Sequence, residues 1–334
     1  EVFASPSVEA ILAGILAVTG KKGCLLIVKN YTGDRLNFGL AAEKARARGL
    51  NIKMVIVDDD ISLPEDVQAR GLAGTLFIHK IAGFLAEEGK SLDEIFDTTQ
   101  SLIPLISSIG VSIDNCTVPG MLKDERITEG MAELGLGIHG EPGRELIAFE
   151  NAGSIMKIIL SHLQSKMNKD QKYALILNNL GGCTPLEMAV LKGEIAKSDL
   201  VSQLALIIGP EMLMTSLDMH GFSVSILPSS KLVAEALTFP VGPRAWPNPV
   251  PLIDPIISDL PKIQTKEDWT PSENIELKHI LQKCCLILKE KEQVLNKLDS
   301  KIGDGDTGST LAGAARALAE ELDRLPLGDT KQFF

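Results

Sequence analysis

The sequence has 334 residues, 45% hydrophobic and 23% charged, enough chain for about two domains with sizeable cores. Aromatic residues are only 4% and the net charge is −11, which excludes a stacking platform for single strands and a phosphate-backbone footprint, so no nucleic-acid partner is expected. No apolar run approaches the roughly 18 residues a bilayer span requires, so no membrane partner is expected either.

In chain order, Ser5-Pro6 reads as a helix cap followed by proline at the first helical position, with Val8, Ile11, Leu12 and Ile15 as the apolar stripe and Gly20 as the stop. Cys24 to Val28 is a short apolar run, expected for a strand buried on both faces. A helix is expected over 35–48, a second buried strand over Ile52 to Val57, a third over Thr75 to Ile78, and helices over 80–89 and 91–108. That alternation predicts an α/β layer with a largely parallel sheet. A second α/β unit follows, with helices over 153–165 and Thr184 to Lys197. Its strands are expected over Tyr173 to Leu177, Leu204 to Ile208 and Ser223 to Leu227.

Eight of the 17 prolines then fall between Pro240 and Pro271, too dense for a helix or a central strand, so 240–271 reads as a linker or an extended arm. Thr270-Pro271-Ser272-Glu273 reads as a capping box that opens a long amphipathic helix with Leu277, Leu281, Cys284 and Leu288 on one face. Cys24, Cys116, Cys183 and the adjacent pair Cys284-Cys285 lack metal-type spacing and read as reduced, buried thiols of a cytoplasmic protein. The chain opens at Glu1 without an initiator Met and closes at Phe334 just after a helical run, so both ends read as cut.

Three stretches carry candidate chemistry. Lys29-Asn30-Tyr31-Thr32-Gly33-Asp34 follows a buried strand, the position where open α/β sheets bind ligands, and its Lys and Asp suit a small polar substrate. On spacing alone, a plain turn with Asp34 as the helix cap is the better reading. Gly135 to Gly143 satisfies a dinucleotide-type glycine pattern, but Pro142-Gly143 breaks the chain where that pattern needs a helix. What remains is His139 in a loop with few bulky neighbours, where a neutral imidazole can act as a nucleophile. In the third stretch, Asp299, Asp304 and Asp306 stand so close that a hard cation is expected among them. An EF-hand fails, because its twelfth position would be Ala315 or Thr310 rather than Glu. Thr307, Gly308, Ser309 and Thr310 would present N–H and O–H groups to a phosphate at a helix start. No Walker A sequence is present.

Taken together, Val2 to Pro6, Ile27 to Phe38, Gly135 to Pro142, Asn178-Asn179-Leu180-Gly181-Gly182 and Gly303 to Gly308 resemble the dihydroxyacetone kinase family, from Glu1 to about Arg324. The resemblance implies an α/β substrate-binding domain of two α/β subdomains over 1–239, the proline-rich linker over 240–271, and the start of an all-helical nucleotide domain over 272–334. It implies that His139 holds dihydroxyacetone as a hemiaminal and that Asp34 is the acid/base residue. Lys29 becomes a substrate contact, Asp299, Asp304 and Asp306 become Mg²⁺ ligands, and Thr307 to Thr310 become neighbours of the ATP phosphates. The implied protein is a cytoplasmic kinase, homodimeric at full length, acting on dihydroxyacetone or glyceraldehyde. The family's glycine-rich second-histidine stretch is expected before Glu1 and the rest of the helical domain after Phe334, so the piece is expected to be inactive alone. The alternatives are a non-catalytic dihydroxyacetone-binding regulator and an inert paralogue.

Overall fold

The computed structural model describes residues 3–64, 66–252, 257–259 and 269–333. Val2 of the opening motif, and 253–256 and 260–268 of the proline-rich stretch, lie outside the described residues. The chain divides into two compact units, Glu1–Pro255 and Ile256–Phe334.

In the first unit, helix α1 (Val8–Val18) is capped by Ser7, whose hydroxyl accepts from the Ala10 N–H at 3.2 Å, so the cap lies two residues beyond the expected Ser5. Strands β1 (Cys24–Lys29) and β2 (Ile52–Val57) pair in parallel, with α2 (Thr32–Arg46) as the crossover between them. Ile11, Leu12 and Ile15 of α1 meet Leu26, Val28 and Ile52 in one cluster. Asp34 is not the cap of α2. It sits in the first turn, where a carboxylate complements the helix dipole.

The expected strand at Thr75 is instead the first turn of helix α3 (Thr75–Glu87). The β-prone run Thr-Leu-Phe-Ile hides a helical stripe: Ile78, Ile81, Ala82 and Leu85 are all buried. The expected second helix ends early. Helix α4 (Leu92–Leu102) is followed by strand β3 (Ser107–Ser112), buried at every position. Strands β4 (Met131–Leu134) and β5 (Glu145–Ala148) had no clear sequence signal, being only four residues each.

Helix α5 (Ala152–Gln164), strand β6 (Tyr173–Asn179), helix α6 (Pro185–Ala196), strands β7 (Leu204–Glu211) and β8 (Gly221–Pro228), and helix α7 (Lys231–Thr238) complete the unit. The six-stranded sheet has the order β5-β4-β3-β8-β6-β7 and is mixed, with only β6 and β7 parallel in it; the parallel layer expected of the first 120 residues is confined to the β1–β2 pair, because β3 joins the mixed sheet. Tyr173, Leu175 and Leu177 of β6 face a cluster with α5 and α6, while Ala174 and Ile176 face one with α3 and α7. That two-residue alternation between two apolar layers is why β6 reads as a continuous hydrophobic run. In the proline-rich stretch, Val250 exchanges backbone hydrogen bonds with Ile207 at 2.8 and 3.1 Å, as an extended arm does.

In the second unit, helix α8 (Ile275–Glu290) is capped by Asn274 rather than Thr270. Helix α9 (Glu292–Asp299) and helix α10 (Thr307–Glu321) follow. On α8, Leu277, Leu281 and Leu288 of the expected stripe are half-buried, and the cysteine on that face is the buried Cys285 rather than the exposed Cys284. All five cysteines are free thiols, but only Cys116 and Cys285 are buried.

Candidate active site

Strand β1 delivers Lys29 at its carboxyl end, and the chain turns straight into α2, which carries Asp34. Both line a cleft of about 680 Å³, together with Phe3, Ser5, Tyr31, Thr75, His79 and His139. The three residues singled out in the first two sequence motifs are therefore brought to one place.

His139 sits in a loop that two arginine–carboxylate pairs hold still. Arg70 meets the buried Asp60 at 2.8 Å and donates to the Gly135 carbonyl at 2.5 Å. Arg126 meets Glu133 at 2.8 Å and the Gly140 carbonyl at 3.1 Å. The imidazole packs against the rings of Tyr31 and Phe3, with centroids at 4.5 and 5.3 Å. Its Nδ1 lies 3.3 Å from Oε1 of Glu141, whose Oε2 accepts the His139 backbone N–H at 2.9 Å. The close approach requires Gly137: a Cβ there would stand 2.1 Å from the Glu141 carboxylate. Burial pulls the Glu141 carboxyl upward, yet hydrogen bonds from the His139 ring and backbone outweigh it and hold the pKa at about 2. Glu141 is thus a fixed negative charge behind Nδ1, which favours the tautomer with Nδ1 protonated and the Nε2 lone pair free. Burial pushes the Tyr31 phenol up, so it stays neutral.

Burial draws the Lys29 ammonium down, against the pull of Asp34, Asp59 and Glu141. Two further lining residues were missed by sequence reasoning. Thr75 and His79 stand one turn apart on α3, a spacing that shares a face, and that signal vanished once 75–78 was read as a strand. The Thr75 hydroxyl is buried without a hydrogen-bond partner among the described residues. Burial and the charge of Lys29 pull His79 down, leaving it neutral at pH 7. Asp59 sets the start of α3, accepting the Leu72 and Gly74 N–H groups at 2.6 and 2.8 Å.

In the second unit, carboxylate oxygens of Asp299, Asp304 and Asp306 lie within 4.8 Å of one another. Oδ2 of Asp299 accepts the Gly305 and Asp306 N–H groups at 2.9 and 3.1 Å. The charge of Asp304 raises the Asp306 carboxyl, the repulsion that a divalent cation relieves. The oxygen-only donor set fits Mg²⁺. Thr307, Gly308, Ser309 and Thr310 form the first turn of α10.

Residues 1–244 match the model of the Dak1 domain, and the chain belongs to that family. It is 44% identical to the dihydroxyacetone kinase of Citrobacter freundii over 100% of this chain and 61% of that protein. It is 36% identical to human triokinase/FMN cyclase over 97% of this chain and 60% of that protein. The chain therefore spans about three fifths of the length of these curated relatives. The crystal structure of the C. freundii kinase with AMP-PNP and Mg²⁺ matches with a TM-score of 0.80, covering 99% of this chain and 62% of that one. A dihydroxyacetone kinase operon co-activator matches at 30% identity with a TM-score of 0.70, covering 74% of this chain and 78% of that one.

Proposed function

We propose that this chain supplies the carbonyl-binding site and the metal-binding loop of an ATP-dependent dihydroxyacetone kinase. The observation that carries the reading is the cleft itself, where Lys29, Asp34 and a Glu141-oriented His139 converge on a space suited to a small polar ligand.

In this reading Nε2 of His139 attacks the ketone carbon of dihydroxyacetone. A C–N bond forms, the carbonyl π pair moves to oxygen, and the oxygen takes up a proton from solvent, while the ring of the adduct keeps its Nδ1 proton against Glu141. The product is a hemiaminal, and glycerol, lacking a carbonyl, is not captured. Asp34 accepts the proton of the terminal hydroxyl that becomes the nucleophile, and Lys29 donates to a substrate oxygen. Asp299, Asp304 and Asp306 hold Mg²⁺, which offsets the charge of the ATP phosphates, while Thr307 to Thr310 donate to those phosphates. Glyceraldehyde, an aldehyde of the same size, meets the same requirement. The protein is read as cytoplasmic, and as a homodimer at full length.

The co-activator likeness favours a second reading, a dihydroxyacetone-binding regulator. It covers 74% of this chain, whereas the kinase likeness covers 99% and so includes the aspartate loop, which a sensor does not require. Carbon-13 NMR with carbonyl-labelled dihydroxyacetone tests the capture step. The ketone resonance should move to a tetrahedral-carbon position on binding and stay unmoved in His139→Ala; a tetrahedral signal persisting in that variant would show that another residue is the nucleophile. Mg²⁺-dependent ATP binding then separates kinase from regulator.

A further inference from the structure

The motif Asn178-Asn179-Leu180-Gly181-Gly182 plays no part in the chemistry above, yet it is tightly built and runs directly into Cys183. Asn179 braces the turn. Its Oδ1 accepts the Gly181 and Cys183 N–H groups at 2.8 and 3.3 Å, and its Nδ2 donates to the Cys183 carbonyl at 2.7 Å. Gly182 donates to the Met219 carbonyl at 2.9 Å and lies so near the His220 backbone that a Cβ would meet its main-chain nitrogen at 2.8 Å. The turn thereby fixes Cys183 beside His220. Glu187 completes the group from the first turn of α6. The Thr184 N–H and hydroxyl hold its Oε2 at 2.7 and 2.9 Å, which presents Oε1 to Nε2 of His220 at 3.0 Å. Donor atoms of all three side chains lie within 4.8 Å of one another. They border a largely apolar cavity of about 160 Å³ that Phe149, Ile155, Leu191 and Phe222 also line.

We propose that Cys183, Glu187 and His220 bind a thiophilic divalent cation of the Zn²⁺ class. One sulfur, one imidazole nitrogen and one carboxylate oxygen make a donor set that suits Zn²⁺ and disfavours Mg²⁺, which requires oxygen ligands. Ligands about 2.0 to 2.3 Å from a shared ion stand roughly 3 to 4 Å apart, so the 3.0 Å separation of Oε1 and Nε2 needs little adjustment. On binding, the Cys183 thiol proton leaves to solvent, and His220 presents the Nε2 lone pair to the ion with its ring proton on Nδ1. Three protein donors leave the fourth tetrahedral position to water. Asn179 and Thr184 are the outer supports that such a site needs, each holding a ligand residue by direct hydrogen bonds. This site lies apart from the His139 cleft and does not depend on the function proposed for it.

The test is a titration of the whole chain with Co²⁺ in excess Mg²⁺, which occupies oxygen-only sites and leaves a thiolate site open. One equivalent should produce a thiolate-to-cobalt charge-transfer band that Zn²⁺ then displaces. Cys183→Ser should abolish the band, His220→Ala and Glu187→Gln should each weaken binding at least about tenfold, and Thr184→Ala should weaken it roughly tenfold through Glu187. Cys284→Ser and Cys285→Ser should leave the band unchanged. Thermal melting in the absence of metal checks that the Cys183→Ser protein is folded. Absence of the band in the unsubstituted chain, or its survival in folded Cys183→Ser, would overturn the proposal.

Discussion

At His139 the deciding contact is with a residue only two positions away. Glu141 places a carboxylate oxygen 3.3 Å from the ring Nδ1 and accepts the backbone N–H, so one carboxylate sets both the tautomer and the orientation of the imidazole. A hydrogen bond to a charged group contributes about 1.5 to 3 kcal/mol, so Glu141→Gln should weaken hemiaminal formation roughly ten- to a hundredfold. Titrating the tetrahedral-carbon signal against dihydroxyacetone measures it, and an unchanged midpoint would mean the ring is oriented by its aromatic neighbours instead. Thr75 is a different kind of residue, with a buried hydroxyl that borders the cleft and has no partner among the described residues. An unpaired buried hydroxyl costs stability unless a ligand meets it. Thr75→Val should therefore raise the melting temperature slightly while weakening substrate capture about fivefold, the loss of one ordinary hydrogen bond. Equal capture by both proteins would remove Thr75 from the substrate's surroundings.

Helix α3 is the element whose placement matters most, because it brings Thr75 and His79 to the cleft and Lys80 into the core, where its Nζ donates to the Ala236 carbonyl at 2.8 Å. Its start rests on Asp59. Burial drives that carboxyl from 3.8 up to about 6, against the hydrogen bonds from Ser108, Leu72 and Gly74. Below pH 3.8 the folded and unfolded chains both hold the proton; between 3.8 and about 6 only the folded chain does, so stability falls as pH rises through that window. The side-chain amide introduced by Asp59→Asn does not titrate. The destabilisation caused by that substitution should thus be larger at pH 4 than at pH 7, by on the order of 3 kcal/mol, in urea unfolding at the two values. An equal penalty at both would mean that Asp59 is ionised throughout. The misreading of this helix as a strand has the same origin. Its first four residues are β-prone in isolation, and only the N–H groups gathered on Asp59 and the packing of Ile78, Ile81 and Leu85 decide for a helix.

Over the whole molecule, the His139 cleft belongs to the first compact unit and the aspartate loop to the second. Their losses should separate. Asp304→Asn with Asp306→Asn should abolish Mg²⁺-dependent nucleotide binding in calorimetry and leave the tetrahedral-carbon signal of bound dihydroxyacetone in place. Simultaneous loss of both would contradict two independent sites. On α8, Ile275, Ile280, Leu286 and Ile287 are exposed.

The sequence by itself determined the strands β1, β2, β6, β7 and β8, because each is a short run rich in β-branched and aliphatic residues bounded by turn or polar segments, although only β6 and nearly all of β8 are buried on both faces. It also singled out the aspartate loop and the glycine-rich His139 loop, whose residues are contiguous in the chain. Only the tertiary structure decided the mixed pairing of the six-stranded sheet, the four-residue strands β4 and β5, and the helical state of Thr75 to Ile78. The same holds for the residues that meet across the chain: Thr75 and His79 with Lys29 and His139, and Cys183 with His220. Local propensity and periodicity act over a turn or a strand, whereas these meetings come from packing two apolar layers onto one sheet, a constraint that no short window of sequence contains.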